Sequence, residues 1–144
     1  MADIINLMIV DDSSRARSAL EALLSLRRGL KIISRASNGL EAVNMIEEFM
    51  PDVVLMDAKM PVMDGLEATR IIKSRWPCIK VVILSMYSEF ITEAFSNGAD
   101  EFLVKGCSVD EILSAIAGLP GKQACEQLRL IERPAEQIKQ ESAK

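Results

Sequence analysis

Five short apolar runs, Ile4–Val10, Leu30–Arg35, Val53–Met56, Val81–Leu84 and Phe102–Val104, alternate with five stretches whose apolar residues recur at helical spacing. A chain with this alternation, and with nearly continuous apolar residues in its inner strands, builds a parallel sheet covered by helices on both faces. Right-handed crossovers then leave few topologies. Asp11-Asp12-Ser13-Ser14 suits the cap of a first helix over Arg15–Arg28, where Ala16, Leu20, Leu23 and Leu24 share a face and Gly29 supplies a stop. Leu30–Arg35 carries Lys31 and Arg35 and reads as an edge strand. Asn38-Gly39 turns the chain into a second helix with Leu40, Val43, Ile46 and Met50, and Pro51 blocks its continuation. Pro61 and Asp64-Gly65 precede a third helix that stops at Trp76-Pro77, and Trp76 takes a helix-end packing role. A fourth, with Ile91, Ala94 and Phe95, closes at Asn97-Gly98. Ser108 caps a fifth with Val109, Ile112, Leu113 and Ile116.

At 144 residues the chain fits one domain, placed at 1–118, followed by a polar tail at 119–144 that reads as partly helical or disordered. The absence of histidine excludes Ser-His-Asp and Cys-His catalysis, histidine-bound zinc and any phosphohistidine formed within the chain. Cys78, Cys107 and Cys125 form no CxxC pair and read as buried or idle thiols. A net charge of -4 lacks the basic footprint of a nucleic-acid binder. No apolar run approaches the roughly 18 residues of a membrane span, and no secretory signal is recognisable, so the expected location is the cytoplasm.

Chemistry must therefore rest on carboxylates, hydroxyls and lysine. Polar residues end four of the five apolar runs: Asp11 and Asp12, Asp57, Ser85, and Lys105. Ligands of open parallel sheets bind at the carboxyl edge, near the point where strand order reverses. If strands one and three are neighbours, the three carboxylates converge and need a cation; oxygen-only ligands suit magnesium, with manganese as the alternative. Cation, lysine and hydroxyl around Asp57 form a phosphoryl cradle in which that carboxylate is the nucleophile. Each piece alone has a plainer reading, as helix cap, strand-end hydrogen bond or surface charge. Their coincidence at strand ends favours a shared site.

The segments VDDSS at 10–14, VLMDAKMPVMDG at 54–65, LSMYSE at 84–89 and GADEFLVKG at 98–106 together resemble the response-regulator receiver domains of two-component signalling, over nearly all of residues 4–118. The resemblance implies a doubly wound flavodoxin-type α/β fold with strand order 2-1-3-4-5 and five flanking helices. It implies that Asp57 becomes an acyl phosphate with Mg2+ held by Asp12, Asp57 and the backbone carbonyl of Lys59, while Asp11 acts through a bound water. Lys105 would pair with a phosphoryl oxygen. Ser85 would close on the phosphate and Phe102 turn inward, changing the face of the fourth helix, fifth strand and fifth helix. The implied donor is a sensor histidine kinase or phosphotransfer protein, the output is an unidentified downstream protein, and a homodimer through the same face is one arrangement. The protein would assist only its own phosphorylation and dephosphorylation and would not otherwise be an enzyme.

The LSMYSE stretch is similar to the branch of receivers that usually precedes a helix-turn-helix output domain, yet residues 119–144 are too short to build one. Output is thus expected through a partner or the tail, with no direct nucleic-acid contact. Three departures bear on mechanism. Gly106 follows Lys105 where proline is common, leaving that peptide's isomer open. Met86 is bulkier than the small residue often found there, and Lys59 is expected to place a cation beside the phosphate. Alternative readings are a phosphorelay intermediate passing its phosphoryl group to a partner histidine and, less favoured, an aspartyl-nucleophile phosphatase, whose DxD pattern after the first strand is missing. A flavodoxin-like cofactor site is disfavoured because Asp11 and Asp12 would repel a phosphate.

Overall fold

The computed structural model describes residues 4–118. The expected tail at 119–144 lies outside them. Five strands, β1 (Ile5–Val10), β2 (Leu30–Ala36), β3 (Val53–Asp57), β4 (Lys80–Ser85) and β5 (Glu101–Val104), alternate with five helices, α1 (Ser14–Leu24), α2 (Gly39–Phe49), α3 (Gly65–Arg75), α4 (Ile91–Ser96) and α5 (Val109–Gly118). A single 3-10 turn, Ser88–Phe90, leads into α4. All pairings are parallel and the order is β2-β1-β3-β4-β5, as the resemblance implied.

The two-residue period of the strands divides the core. Met8, Val10, Val54, Met56, Val81 and Ile83 face α2, α3 and α4, where they meet Ala42, Val43, Ile46, Leu66, Ala68, Ile72 and Ala94. Leu7, Ile9, Val53, Leu55 and Val82 point to the opposite face and pack with Leu24 of α1 and Ile112, Ala115 and Ile116 of α5. Each such side chain contributes about 1.5–3 kcal/mol by leaving water, which is why the inner strands are apolar throughout. The edge strand β2 departs from regularity: its register against β1 shifts between Leu7 and Met8, a bulge that skips Ile33.

Caps set the helix starts. Ser13 accepts from the amide of Ala16, Asn38 from Glu41, Asp64 from Glu67 and Ser108 from Glu111. The first helix ends at Leu24, before the expected Arg28. Ile5 N–H donates to Gly29 O at 2.8 Å to start β1 against β2, so residues 25–29 are committed to the reversal and Gly29 takes φ 79°. Trp76 sits at the end of α3, donates its amide to Ile72 O and packs against the core, as expected. Cys107 is a free thiol, whereas Cys78 is disulfide-bonded, which corrects the reading of three idle thiols. Cysteine pairing depends on distance in the fold, which spacing along the chain does not report.

Lys80 is a buried cation at the start of β4, 3% exposed. Its Nζ donates to the carbonyls of Ala115 and Ile116 near the end of α5, satisfying groups the helix leaves unpaired. Burial, partly opposed by Glu101 and Asp100, lowers its pKa. The loop between β3 and α3 is equally constrained. Met63 N–H donates to Pro61 O at 2.9 Å across Val62, whose φ of 71° is left-handed, a rare γ-turn for a β-branched residue. Gly65 closes the loop, with its amide on Ala58 O at 2.9 Å; a Cβ there would stand 1.9 Å from the carbonyl oxygen of Asp57.

Gly65→Ala is therefore expected to destabilise the fold by about 2 kcal/mol or more, since neither backbone can yield without moving Asp57. Gly118→Ala, which meets nothing within 4 Å, is the control and should be neutral or slightly stabilising. Urea denaturation of both variants decides; equal midpoints would refute the close-approach account.

Candidate functional site

Strand register assembles the site. Val10 is level with Met56, so Asp11 and Asp12 leave β1 beside Asp57 at the end of β3. Lys105 N–H donates to Ser85 O at 2.7 Å, which holds the residue after β5 next to the end of β4. Asp11 is 2% and Asp57 9% exposed, while Asp12 faces solvent. One carboxylate oxygen from each of the three lies within 4.8 Å of the others.

Asp11 is the best anchored. Its Oδ1 accepts from Ser13 N–H at 2.9 Å and its Oδ2 from Lys105 Nζ at 3.0 Å, while Arg17 donates to its main-chain carbonyl. Lys105 Nζ also lies 3.4 Å from Asp57 Oδ2, so one ammonium bridges two carboxylates. Burial is the main cause that pushes the Asp57 carboxyl from its ordinary 3.8 up to about 6; Lys105 pulls it down, and the charges of Asp11 and Asp12 add to the rise. Lys105 is held above the ordinary lysine range: burial lowers it, but the hydrogen bond to Asp11 and the charge of Asp57 outweigh that. Three carboxylates lie around one ammonium. An all-oxygen cluster with one solvent-facing member fits a hard divalent cation that keeps some of its water.

The other expected site residues are placed less directly. Ser85 is buried, but its hydroxyl accepts from Tyr87 N–H at 3.1 Å and donates to Tyr87 O at 3.4 Å, so it engages its own loop. Phe102 is half-buried and packs against the core that lies under α2, α3 and α4. The Lys59 side chain has partners of its own. Its Nζ sits 3.9 Å from Asp64 Oδ2 and 5.0 Å from the centre of the Phe90 ring, an ion pair and a cation–π contact that draw it to the neighbouring loops. Met86, directly after Ser85, is 63% exposed. No cis peptide occurs among the described residues, so the Lys105–Gly106 bond is trans. Arg17 and the Tyr87 backbone were not anticipated; an arginine one turn into a helix carries no sequence signal for a carbonyl contact.

The model of the response regulator receiver domain matches residues 7–117. The transcriptional regulatory protein LnrK of Bacillus subtilis is 42% identical over 114 residues, which are 78% of this chain and 52% of that protein. The chain thus spans about half the length of that relative. A DNA-binding response regulator of the LuxR family from Staphylococcus aureus superposes with a TM-score of 0.75 at 32% identity, covering 80% of this chain and 98% of that one. The CheX-CheY-BeF3-Mg+2 complex from Borrelia burgdorferi superposes with a TM-score of 0.73 at 27% identity, covering 79% and 87%. With the strand order, the acidic cluster and the bridging lysine all in place, the chain belongs to the response-regulator receiver domains of two-component signalling.

Proposed function

We propose that this chain is a phosphorylation-dependent signalling switch in which Asp57 accepts a phosphoryl group from an outside phosphohistidine donor in the presence of Mg2+. The observation that carries the reading is the single Lys105 ammonium, 3.0 Å from Asp11 and 3.4 Å from Asp57, within a cluster of three carboxylates. The Borrelia burgdorferi complex, whose name includes Mg+2 and BeF3, supports the same chemistry. No helix among the described residues is long and apolar enough to cross a membrane.

Asp57 is the acceptor because its neighbours are otherwise committed. Both oxygens of Asp11 accept hydrogen bonds, and Asp12 lies in solvent. An Asp57 oxygen attacks phosphorus, the donor's P–N bond breaks with its electron pair leaving on the imidazole, and an acyl phosphate forms. Lys105 moves its charge from the carboxylates to a phosphoryl oxygen. Asp12, Asp57 and the Lys59 carbonyl, with Asp11 through a water, would hold a magnesium ion, which would supply charge neutralisation for the phosphoryl oxygens. Water addition at phosphorus later releases phosphate and restores the carboxylate, so the chain assists its own labelling and unlabelling only. Ser85 would leave Tyr87 to donate to the phosphate, and Phe102 would move further inward, altering the α4–β5–α5 face for a downstream protein.

Incubation with magnesium and a small acyl phosphate should add one phosphoryl mass to the wild type and none to Asp57→Asn. Lys105→Ala should slow the gain on the order of 100-fold, the scale for losing one preorganised electrostatic group. Wild-type protein that gains no mass under any condition would refute the proposal. Lys59→Ala frees Asp64 and Phe90 beside the site, and Met86→Ala trims the exposed side chain directly after Ser85, so both should change the decay rate of the acyl phosphate. Unchanged decay in both would exclude them from control of its lifetime.

The charge on Asp57 also has a cost that pH reveals. The folded pKa of about 6 lies above the ordinary 3.8, so the native state binds more protons between these values and loses stability as pH rises through that window. The full difference corresponds to about 3 kcal/mol above pH 6 and vanishes below pH 4. Asp57→Asn, with metal chelated, should therefore be more stable than wild type at pH 7.5 and equal to it near pH 4. Thermal unfolding across that range tests this, and magnesium should narrow the gap by stabilising wild type. A less stable Asp57→Asn at pH 7.5 would contradict it.

A further inference from the structure

Between β5 and α5 runs a groove of about 340 Å³, lined by Glu101, Leu103, Asp110, Glu111, Ser114 and Ala115. Its floor is apolar, formed by Leu103 and Ala115, and its rim carries three carboxylates. Among the described residues none of those three carboxylates takes part in an ion pair. β5 is also the outer strand of the sheet, so this face has no neighbouring strand. A ligand for such a groove must combine apolar side chains with positive charge.

The chain's own continuation offers that combination at the right reach. Residues 119–144 leave from Gly118, at the end of the helix that forms one groove wall, and Lys80 fixes that end through the Ala115 and Ile116 carbonyls. Pro120-Gly121 is a turn signal. Beyond it, Leu128-Arg129-Leu130-Ile131 places three apolar residues around an arginine, and Glu132 and Arg133 follow, so two arginines and one glutamate leave Leu128–Arg133 with a net positive charge. Asp110 lies eight residues, about 12 Å, back along α5 from Gly118. The seven residues from Lys122 to Leu128 cover that length when extended, where they reach roughly 23 Å. Arginine stems can cover the apolar floor while their guanidinium groups meet the rim carboxylates.

We propose that Leu128–Arg133 docks in the β5–α5 groove of the unphosphorylated chain as an intramolecular ligand, occupying part of the face that the switch would offer to a partner. The regulatory half of this statement rests on the proposed α4–β5–α5 output face; the docking itself does not.

Hydrogen exchange by mass spectrometry on the full chain, with no phosphoryl donor present, tests the docking independently of the phosphorylation reading. Replacing both Leu128 and Ile131 with Asp should speed exchange severalfold in the peptide spanning Glu101–Ala115 and leave β1 and β3 peptides unchanged. Arg129→Glu with Arg133→Glu should do the same, and adding Asp110→Arg with Glu111→Arg should restore slow exchange, a rescue that simple destabilisation of the tail would not give. Unchanged exchange in both tail variants overturns the proposal. Protection that weakens on tenfold dilution of wild type also overturns it, because the occupant would then be a second copy.

Discussion

Lys105 holds one ammonium against two carboxylates, and much of the site's arrangement follows from that contact. Asp11 can be 2% exposed because both of its oxygens are satisfied, one of them by this lysine. Asp57 can sit at the end of a strand buried on both faces only because the same charge stands 3.4 Å away. The contact is also incomplete, since three carboxylates share it. Burial above all, with the charges of Asp11 and Asp12 added and Lys105 opposing, leaves the Asp57 carboxyl raised to about 6. A divalent cation or a change of charge at Asp57 acts directly on this imbalance, which makes the site responsive where a neutral pair would be inert.

The parallel sheet makes such a cluster possible. Every strand runs in the same direction, so the residues that follow β1, β3, β4 and β5 reach one edge together, and the crossover helices keep the connections away from it. The opposite edge carries different polar work. Lys80 at the start of β4 ties the last turn of α5, and Lys73 reaches from α3 to the carbonyls of Pro77 and Ile79 and to Asp100. Asp100 in turn accepts the amide of Val81. These contacts bind helices to strand starts, leaving the carboxyl edge for chemistry.

The inner strands were legible because their neighbours bury both faces, so Val53–Met56 and Val81–Leu84 had to be apolar without interruption. The strand-end residues were legible for the complementary reason: a polar side chain that ends such a run has no apolar environment to join. Side-chain direction was not legible. The partners of the Lys59 amine, Asp64 and Phe90, lie five and 31 positions along the chain and reach it only through the fold. The first helix was read too long because Gly29 is the first glycine stop after Leu24, whereas residues 25–29 already form the reversal into β2. Lys80 had no sequence signal, since a lysine at a strand start is ordinarily solvated and its helix-end partners lie 35 and 36 residues away.

The two helices flanking β5 are not held alike. α5 spans ten residues, buries Ile112, Ala115 and Ile116, and is tied by Lys80 near its end. α4 spans six residues, buries only Ala94, starts from a 3-10 turn with no side-chain cap, and leaves Ile91 and Phe95 exposed. Few buried contacts and a short hydrogen-bond ladder place α4 at the low-stability end of the fold, the end from which moving elements are drawn. The Ser85–Tyr87 hydrogen bonds lie at the start of the loop that feeds it. A hydroxyl withdrawn from Tyr87 toward Asp57 would therefore loosen the entry to the most compliant helix, while α5 keeps its position on the sheet. Ser85, at the carboxyl edge, is thus linked to the turn that starts the fourth helix through the Tyr87 backbone, by hydrogen bonds of 3.1 and 3.4 Å.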